Sequence, residues 1–246
     1  MHEKNILIKT NNGNLDCMCF YSNTEEAPAV IFYMDAPGIR EELRNMCRKI
    51  ALKGYNVYLP NLFYRCGTEG NYPFNQKNYK NNKIELKKMI DTMAITNNLM
   101  IVDDTYFMLQ YIKSDIKKNE FIGIIGYCMS GRFVTSCAAY YAETIKATAS
   151  FYGVDIYTNK KDSPHLLFSK IKGELYLAFA EKDTWVSNTQ INKIKESLSN
   201  SGINYTLEVY PETEHGFAFP SRSTFNQTAA DNHWRKIFAL FARTLK

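Results

Sequence analysis

Cys128 stands at the centre of Gly126-Tyr127-Cys128-Met129-Ser130-Gly131, between the apolar run Phe121-Ile122-Gly123-Ile124-Ile125 and residues 132–140, which read as a helix. A buried strand turning sharply into a helix is the setting of a nucleophile elbow, with the central side chain on a strained turn and helix amides behind it. A thiol suits that place, because a helix N-terminus or a neighbouring base lowers its reference pKa of about 8.5. The same amides would stabilise an oxyanion formed beside the sulfur. The plain alternative is a buried structural cysteine at an ordinary strand–helix junction, since cysteine is among the most buried residue types.

A nucleophile needs a base. The chain has four histidines: His2, His165, His215 and His233. His2 is terminal, His165 lies in a polar loop past a strand end, and His233 begins the last helix, where partial exposure is expected. His215, in Glu214-His215-Gly216-Phe217, leaves the end of a strand and is the one placed to reach Cys128. An imidazole base also needs an acceptor on its second nitrogen. Asp183, in the turn Glu181-Lys182-Asp183, fills that role, with Glu181 and Asp155 as rivals. A solvated turn acid is the simpler account of Asp183, since Asp is common in turns.

The elements that must position these residues follow from hydrophobic pattern. Residues 5–9 and 15–21 read as a hairpin around Asn11-Asn12-Gly13-Asn14. Pro28-Ala29-Val30-Ile31-Phe32-Tyr33-Met34 reads as a strand buried on both faces, and residues 41–53 as a helix with Leu43, Met46, Cys47, Ile50 and Ala51 on one side. A strand over 55–60 follows. From 61 to 95 the pattern blurs, and residues 62–95 are expected either to form a mobile lid or to be a solvated insertion. Beyond them come a helix at 104–113, the strand leading to Cys128, strands at 145–152, 174–179 and 205–210, and helices at 188–198 and 232–245. An antiparallel start followed by alternating strands and helices predicts an α/β fold with a doubly wound, mostly parallel, eight-stranded sheet flanked by helices. Such sheets bind ligands outside the carboxyl ends of their strands. Nucleophile, acid and histidine then follow the fifth, seventh and eighth strands, the chain order of α/β hydrolases.

The 246 residues are 45% hydrophobic and 22% charged, values typical of a globular protein, and no composition break divides them, so residues 1–246 read as one domain. The net charge of +5 is spread along the chain without an arginine block, which gives nucleic-acid binding no support. No apolar run approaches membrane-spanning length, and the amino-terminal residues lack a secretion-signal pattern. The six cysteines include no C-x-x-C pair; Cys17-x-Cys19 is read as facing opposite sides of its strand, which argues against a shared metal. A cytoplasmic monomer or homodimer with free thiols, and no metal or organic cofactor, is expected.

With these residues in view, the sequence resembles the dienelactone hydrolase family over nearly its whole length. The likeness is carried by Gly126-Tyr127-Cys128-Met129-Ser130-Gly131, Asp183 before a tryptophan, Glu214-His215-Gly216-Phe217, Asp35-Ala36-Pro37-Gly38-Ile39-Arg40 and Leu59-Pro60-Asn61-Leu62-Phe63. The resemblance implies a triad of Cys128, His215 and Asp183 and an oxyanion hole from the backbone N–H groups of Met129 and Ala36. Pro37 has no N–H to offer. It also implies thiol gating at Asp35, where the family carries a longer glutamate. Ser130 replaces a family glycine, and Phe219 stands where the family has a substrate-gripping arginine four residues past the histidine. Phe63, Tyr64, Arg65, Trp185, Phe219 and Arg222 are the candidates for substrate binding.

The expected reaction is hydrolysis of a small-molecule ester or lactone through an acyl-enzyme. The alternatives are a general carboxylesterase or thioesterase, and a non-catalytic binding module on the same fold.

Overall fold

Alternating burial in the first two strands sets up an amino-terminal hairpin. The computed structural model describes residues 1–24, 26–116 and 121–245. The chain falls into two compact units, Met1–Glu120 and Phe121–Lys246.

In the first unit, β1 (His2–Thr10) and β2 (Gly13–Tyr21) pair antiparallel with Thr10 opposite Gly13, so the loop is Asn11-Asn12. Strand β2 runs antiparallel to β4 (Asn56–Pro60), and β4 runs parallel to β3 (Ala29–Tyr33), in the order β1-β2-β4-β3. Every residue of β3 and β4 is buried, as their largely apolar character requires, with Asn56 the polar exception at the start of β4. Helix α1 (Glu41–Ala51) buries Leu43, Met46, Cys47, Ile50 and Ala51, the predicted stripe. Glu41 and Glu42 lie in its first turn and Arg48 and Lys49 in its last, matching the helix dipole.

Two expectations for this unit need correcting. Cys17 and Cys19 lie two residues apart and so share one face of β2, where both are buried. The blurred stretch also contains a full helix, α2 (Lys83–Ile95), which leaves residues 61–82 as the irregular part. Asn82 caps α2 by accepting from the amides of Ile84 and Glu85. Only Met89 and Thr92 of α2 are buried, so the helix carries too little apolar periodicity to announce itself. Helix α3 (Asn98–Asp115) starts six residues before the predicted 104.

The second unit is a run of parallel strands, β5 (Ile122–Tyr127), β6 (Ile145–Phe151), β7 (Glu174–Ala180) and β8 (Tyr205–Tyr210), in that spatial order. Helix α4 (Ser130–Tyr140) packs on β5 and β6, and α6 (Gln227–Thr244) packs on β6 and β7. Helix α5 (Asn188–Ser199) opens with a capping box between Ser187 and Gln190. Phe133, Phe151, Phe168 and Phe179 are fully buried, each contributing about 1.5–3 kcal/mol of transfer free energy. Among the described residues, no helix is long and apolar enough to cross a membrane.

Candidate active site

Strand β5 ends at Tyr127, and the chain turns at Cys128 with φ +54° before α4 begins at Ser130. A side-chain-bearing residue held in this left-handed region stores strain of order 1–3 kcal/mol that the surroundings must hold. They do so through the backbone: the Cys128 amide donates to Phe151 O (3.1 Å), and Cys128 O accepts from Gly131 (3.1 Å) and Val154 (3.0 Å). Gly131 makes the close approach possible, since a Cβ on it would sit 2.3 Å from the Gly153 Cα. Helix α4 begins two residues after Cys128, with Met129 at its N-terminal cap position, so free amides of its first turn lie next in the chain to the nucleophile candidate.

The loops after β7 and β8 bring the acid and the base together. His215 donates from Nδ1 to the Asp183 carboxylate, 2.9 Å from Oδ2 and 3.0 Å from Oδ1. Asp183 Oδ1 also accepts from the amides of Trp185 (2.7 Å) and Val186 (3.2 Å), so the carboxylate is fixed from three sides. Its side chain is fully buried. The loops are joined independently of this pair: Glu181 N donates to Tyr210 O (3.2 Å) and Lys182 N to Thr213 O (2.9 Å). The rival acids are engaged elsewhere. Glu181 accepts from the Glu212 amide (2.8 Å), and Asp155 pairs with Arg132 (3.3 Å).

His215 Nε2 is buried. Burial opposes protonation of this ring, but the neighbouring Cys128 charge and the Asp183 hydrogen bond outweigh it and push the pKa up to about 9. A buried histidine oriented by a carboxylate and lying beside a cysteine is an arrangement that can serve nucleophilic acyl transfer.

The dienelactone hydrolase family model matches residues 15–245. The chain belongs to the dienelactone hydrolase family. It is a hydrolase of that class. A Synechocystis protein named "putative carboxymethylenebutenolidase" is 28% identical over 99% of this chain and 98% of its own length. A Yersinia pestis protein of the same name is 25% identical over 90% of this chain and 80% of its own. Among solved structures, a "putative dienelactone hydrolase" from Klebsiella pneumoniae superposes with TM-score 0.84 at 19% identity, covering 98% of both chains. A dienelactone hydrolase from Anabaena variabilis gives 0.68 at 15%, covering 100% and 99%. The fold is accordingly the α/β-hydrolase fold of this family, with eight mostly parallel strands and flanking helices.

The other residues singled out for a dienelactone hydrolase site divide between the units. In the second, the Trp185 ring is half-exposed, 6.0 Å from the His215 ring. Arg222 lies against Gly216, whose φ is +90°, with its Cδ 2.6 Å from where a Cβ would be, and its guanidinium rests on the Phe219 ring. Phe219 is fully buried. In the first unit, Phe63 is fully buried, and Tyr64 and Arg65 both bond the buried Asp104, Arg65 through two contacts of 2.7 and 2.8 Å. Asp35 is fully buried and held by Arg40 at 2.5 and 3.2 Å, and Ala36 follows it in the turn closed by Gly38 N to Asp35 O.

Two neighbours escaped the sequence reading, and a third residue was misplaced by it. Tyr152, left-handed at φ +40°, sets its ring against His215 at 4.9 Å. Arg132 is a buried cation whose pKa is lowered by burial, against the charges of Asp155, Asp162 and Cys128. His233 was expected to begin the last helix half-exposed; that helix starts at Gln227, and His233 is fully buried. The available signal was position: Tyr152 sits just past a strand end, where this fold gathers its site.

Proposed function

We propose that this protein hydrolyses an ester or lactone through Cys128 as nucleophile, His215 as base and acid, and Asp183 as the group orienting His215. The observation that carries this reading is the second nitrogen of His215. Nδ1 is committed to Asp183, which leaves Nε2 for the Cys128 sulfur, whose charge and hydrogen bond favour protonation of the same buried ring.

The thiolate forms a bond to the substrate carbonyl carbon, and the displaced electron pair goes to oxygen. The Met129 amide supports that oxyanion. As the carbonyl re-forms, the carbon–oxygen bond to the leaving group breaks and the leaving oxygen takes a proton from His215. Water then gives a proton to His215 and attacks the thioester, releasing the acid and the thiolate. The gating implied for Asp35 would require its carboxylate to leave Arg40.

The names of the relatives support a lactone substrate. A general carboxylesterase or thioesterase is the second reading, favoured by Phe219 at the fourth position after His215 and by the commitment of Arg65 to Asp104. None of the six cysteines forms a disulfide, which supports a reducing, cytoplasmic setting. The single family match across both units supports reading them as one domain.

The test is turnover of a chromogenic acetate ester, an enol-lactone and a dienelactone by wild type and Cys128→Ala. Loss of turnover in the variant by about 10³-fold or more is expected. Full activity of Cys128→Ala would sink the scheme, and turnover of the plain ester alone would select the second reading.

A further inference from the structure

Behind the elbow lies a histidine that the proposed chemistry does not use. The hydroxyl of Tyr127, the last residue of β5 and the neighbour of Cys128, is 2.7 Å from His233 Nε2 on α6. Both residues are fully buried. His233 Nδ1 lies 3.3 Å from Ala230 O, one turn earlier in the helix. The neutral ring protonated on Nδ1 satisfies both contacts: it donates to Ala230 O and accepts from the Tyr127 hydroxyl at Nε2.

The pair is set among aromatic rings that lead to both partners of the proposed chemistry. Phe151 meets His233 edge-on at 4.3 Å, and Tyr127 stacks on Phe151 at 5.5 Å. Tyr127 also touches Tyr152 at 5.9 Å, and Tyr152 in turn meets the His215 ring at 4.9 Å. By backbone, Tyr127 adjoins the strained Cys128, whose amide is held by Phe151 O. One hydrogen bond therefore fixes a ring that abuts the nucleophile through the chain and the base through Tyr152.

An apolar pair would fill the same space without burying polar atoms. What the hydroxyl–imidazole bond adds is a single geometry, since each partner is satisfied in only one relative orientation. We propose that His233 is a positioning residue: by locking the Tyr127 ring it holds the Cys128 turn and, through Tyr152, the plane of His215. This rests on the Cys128–His215–Asp183 reading.

The experiment uses the full chain with His233→Leu, His233→Gln and Tyr127→Phe beside wild type and Cys128→Ala. It reads kcat and KM on whichever panel substrate wild type turns over, the rate of Cys128 alkylation by iodoacetamide, and Tm. His233→Leu is expected to lower kcat and the alkylation rate at least tenfold, with KM within about twofold. Gln can still accept from the hydroxyl, so His233→Gln should recover both rates to within about threefold of wild type. If His233→Leu does not fold, Tyr127→Phe, which deletes one oxygen, should show the same kcat and alkylation losses. A normal kcat and alkylation rate with only a lowered Tm, or Gln no better than Leu, would overturn the assignment. Cys128→Ala dead beside an unaffected His233→Leu would sink this inference alone. An active Cys128→Ala would instead sink the triad on which it depends.

Discussion

His215 carries the strongest pH signature of any residue at the site. Its pKa is raised from about 6.5 to about 9, so the stabilising effect of its protonated form is fully present below pH 6.5 and is lost as pH rises through 9. A shift of that size corresponds to about 3 kcal/mol. The stability difference between wild type and His215→Gln should therefore shrink between pH 6.5 and 9, measured by urea unfolding at several pH values. Parallel pH profiles would mean that His215 carries no such charge. The residue scale also explains why the elbow tolerates strain at Cys128: three backbone hydrogen bonds fix the turn from both sides, so the cost is absorbed by the fold.

At the scale of elements, α4 seats closely on the loop after β6, where Gly131 meets Gly153, and it begins two residues after Cys128. Gly131→Ala places a methyl 2.3 Å from the Gly153 Cα and 2.7 Å from Ser150 Oγ, both parts of a packed interior. The helix must shift to relieve this, at a cost of about 1–3 kcal/mol. Unfolding of Gly131→Ala should show that loss together with a fall in kcat larger than any change in KM, because amide positions move while substrate contacts elsewhere do not. An unchanged Tm would show that the helix has room that the structure does not display. The sequence pattern was most legible for these elements: strands β3 and β5 are continuous apolar runs, β7 is one after Glu174, and α1 shows its buried stripe plainly. Helix α2 was not legible, because a helix that buries only Met89 and Thr92 has no periodic stripe to read. The burial of His233 was equally hidden, since a polar residue enters a core only when a distant partner, here Tyr127, satisfies it.

Across the whole molecule the cysteines separate by environment. Burial pushes the thiols of Cys17 and Cys47 well up, and burial also raises Cys66, which is partly exposed. Timed alkylation at neutral pH, read by peptide mass spectrometry, should therefore show one fast site, Cys128, then Cys66, with Cys17 and Cys47 protected until unfolding. Labelling of Cys66 before Cys128 would argue against an activated nucleophile. The strand-end placement of Cys128, Asp183 and His215 and their chain order were legible in the pattern, and the family resemblance joined them as a candidate triad. The choice of Asp183 over Glu181 and Asp155 was left open by the pattern and came only from the family resemblance, because it depends on which loop backbone bonds to which.

Those loop bonds allow the acid to be replaced from solution. Because Lys182 and Glu181 are tied to Thr213 and Tyr210 through the backbone, removing the Asp183 side chain should leave the His215 loop in place, with the Trp185 and Val186 amides still directed at the vacated carboxylate. Asp183→Ala should lose about 10²–10⁴-fold in kcat. Added formate, a carboxylate small enough for the gap, should restore part of that rate in a saturable way, while bulkier benzoate should not. A rate indifferent to formate would mean that the two loops keep their places only while Asp183 holds them.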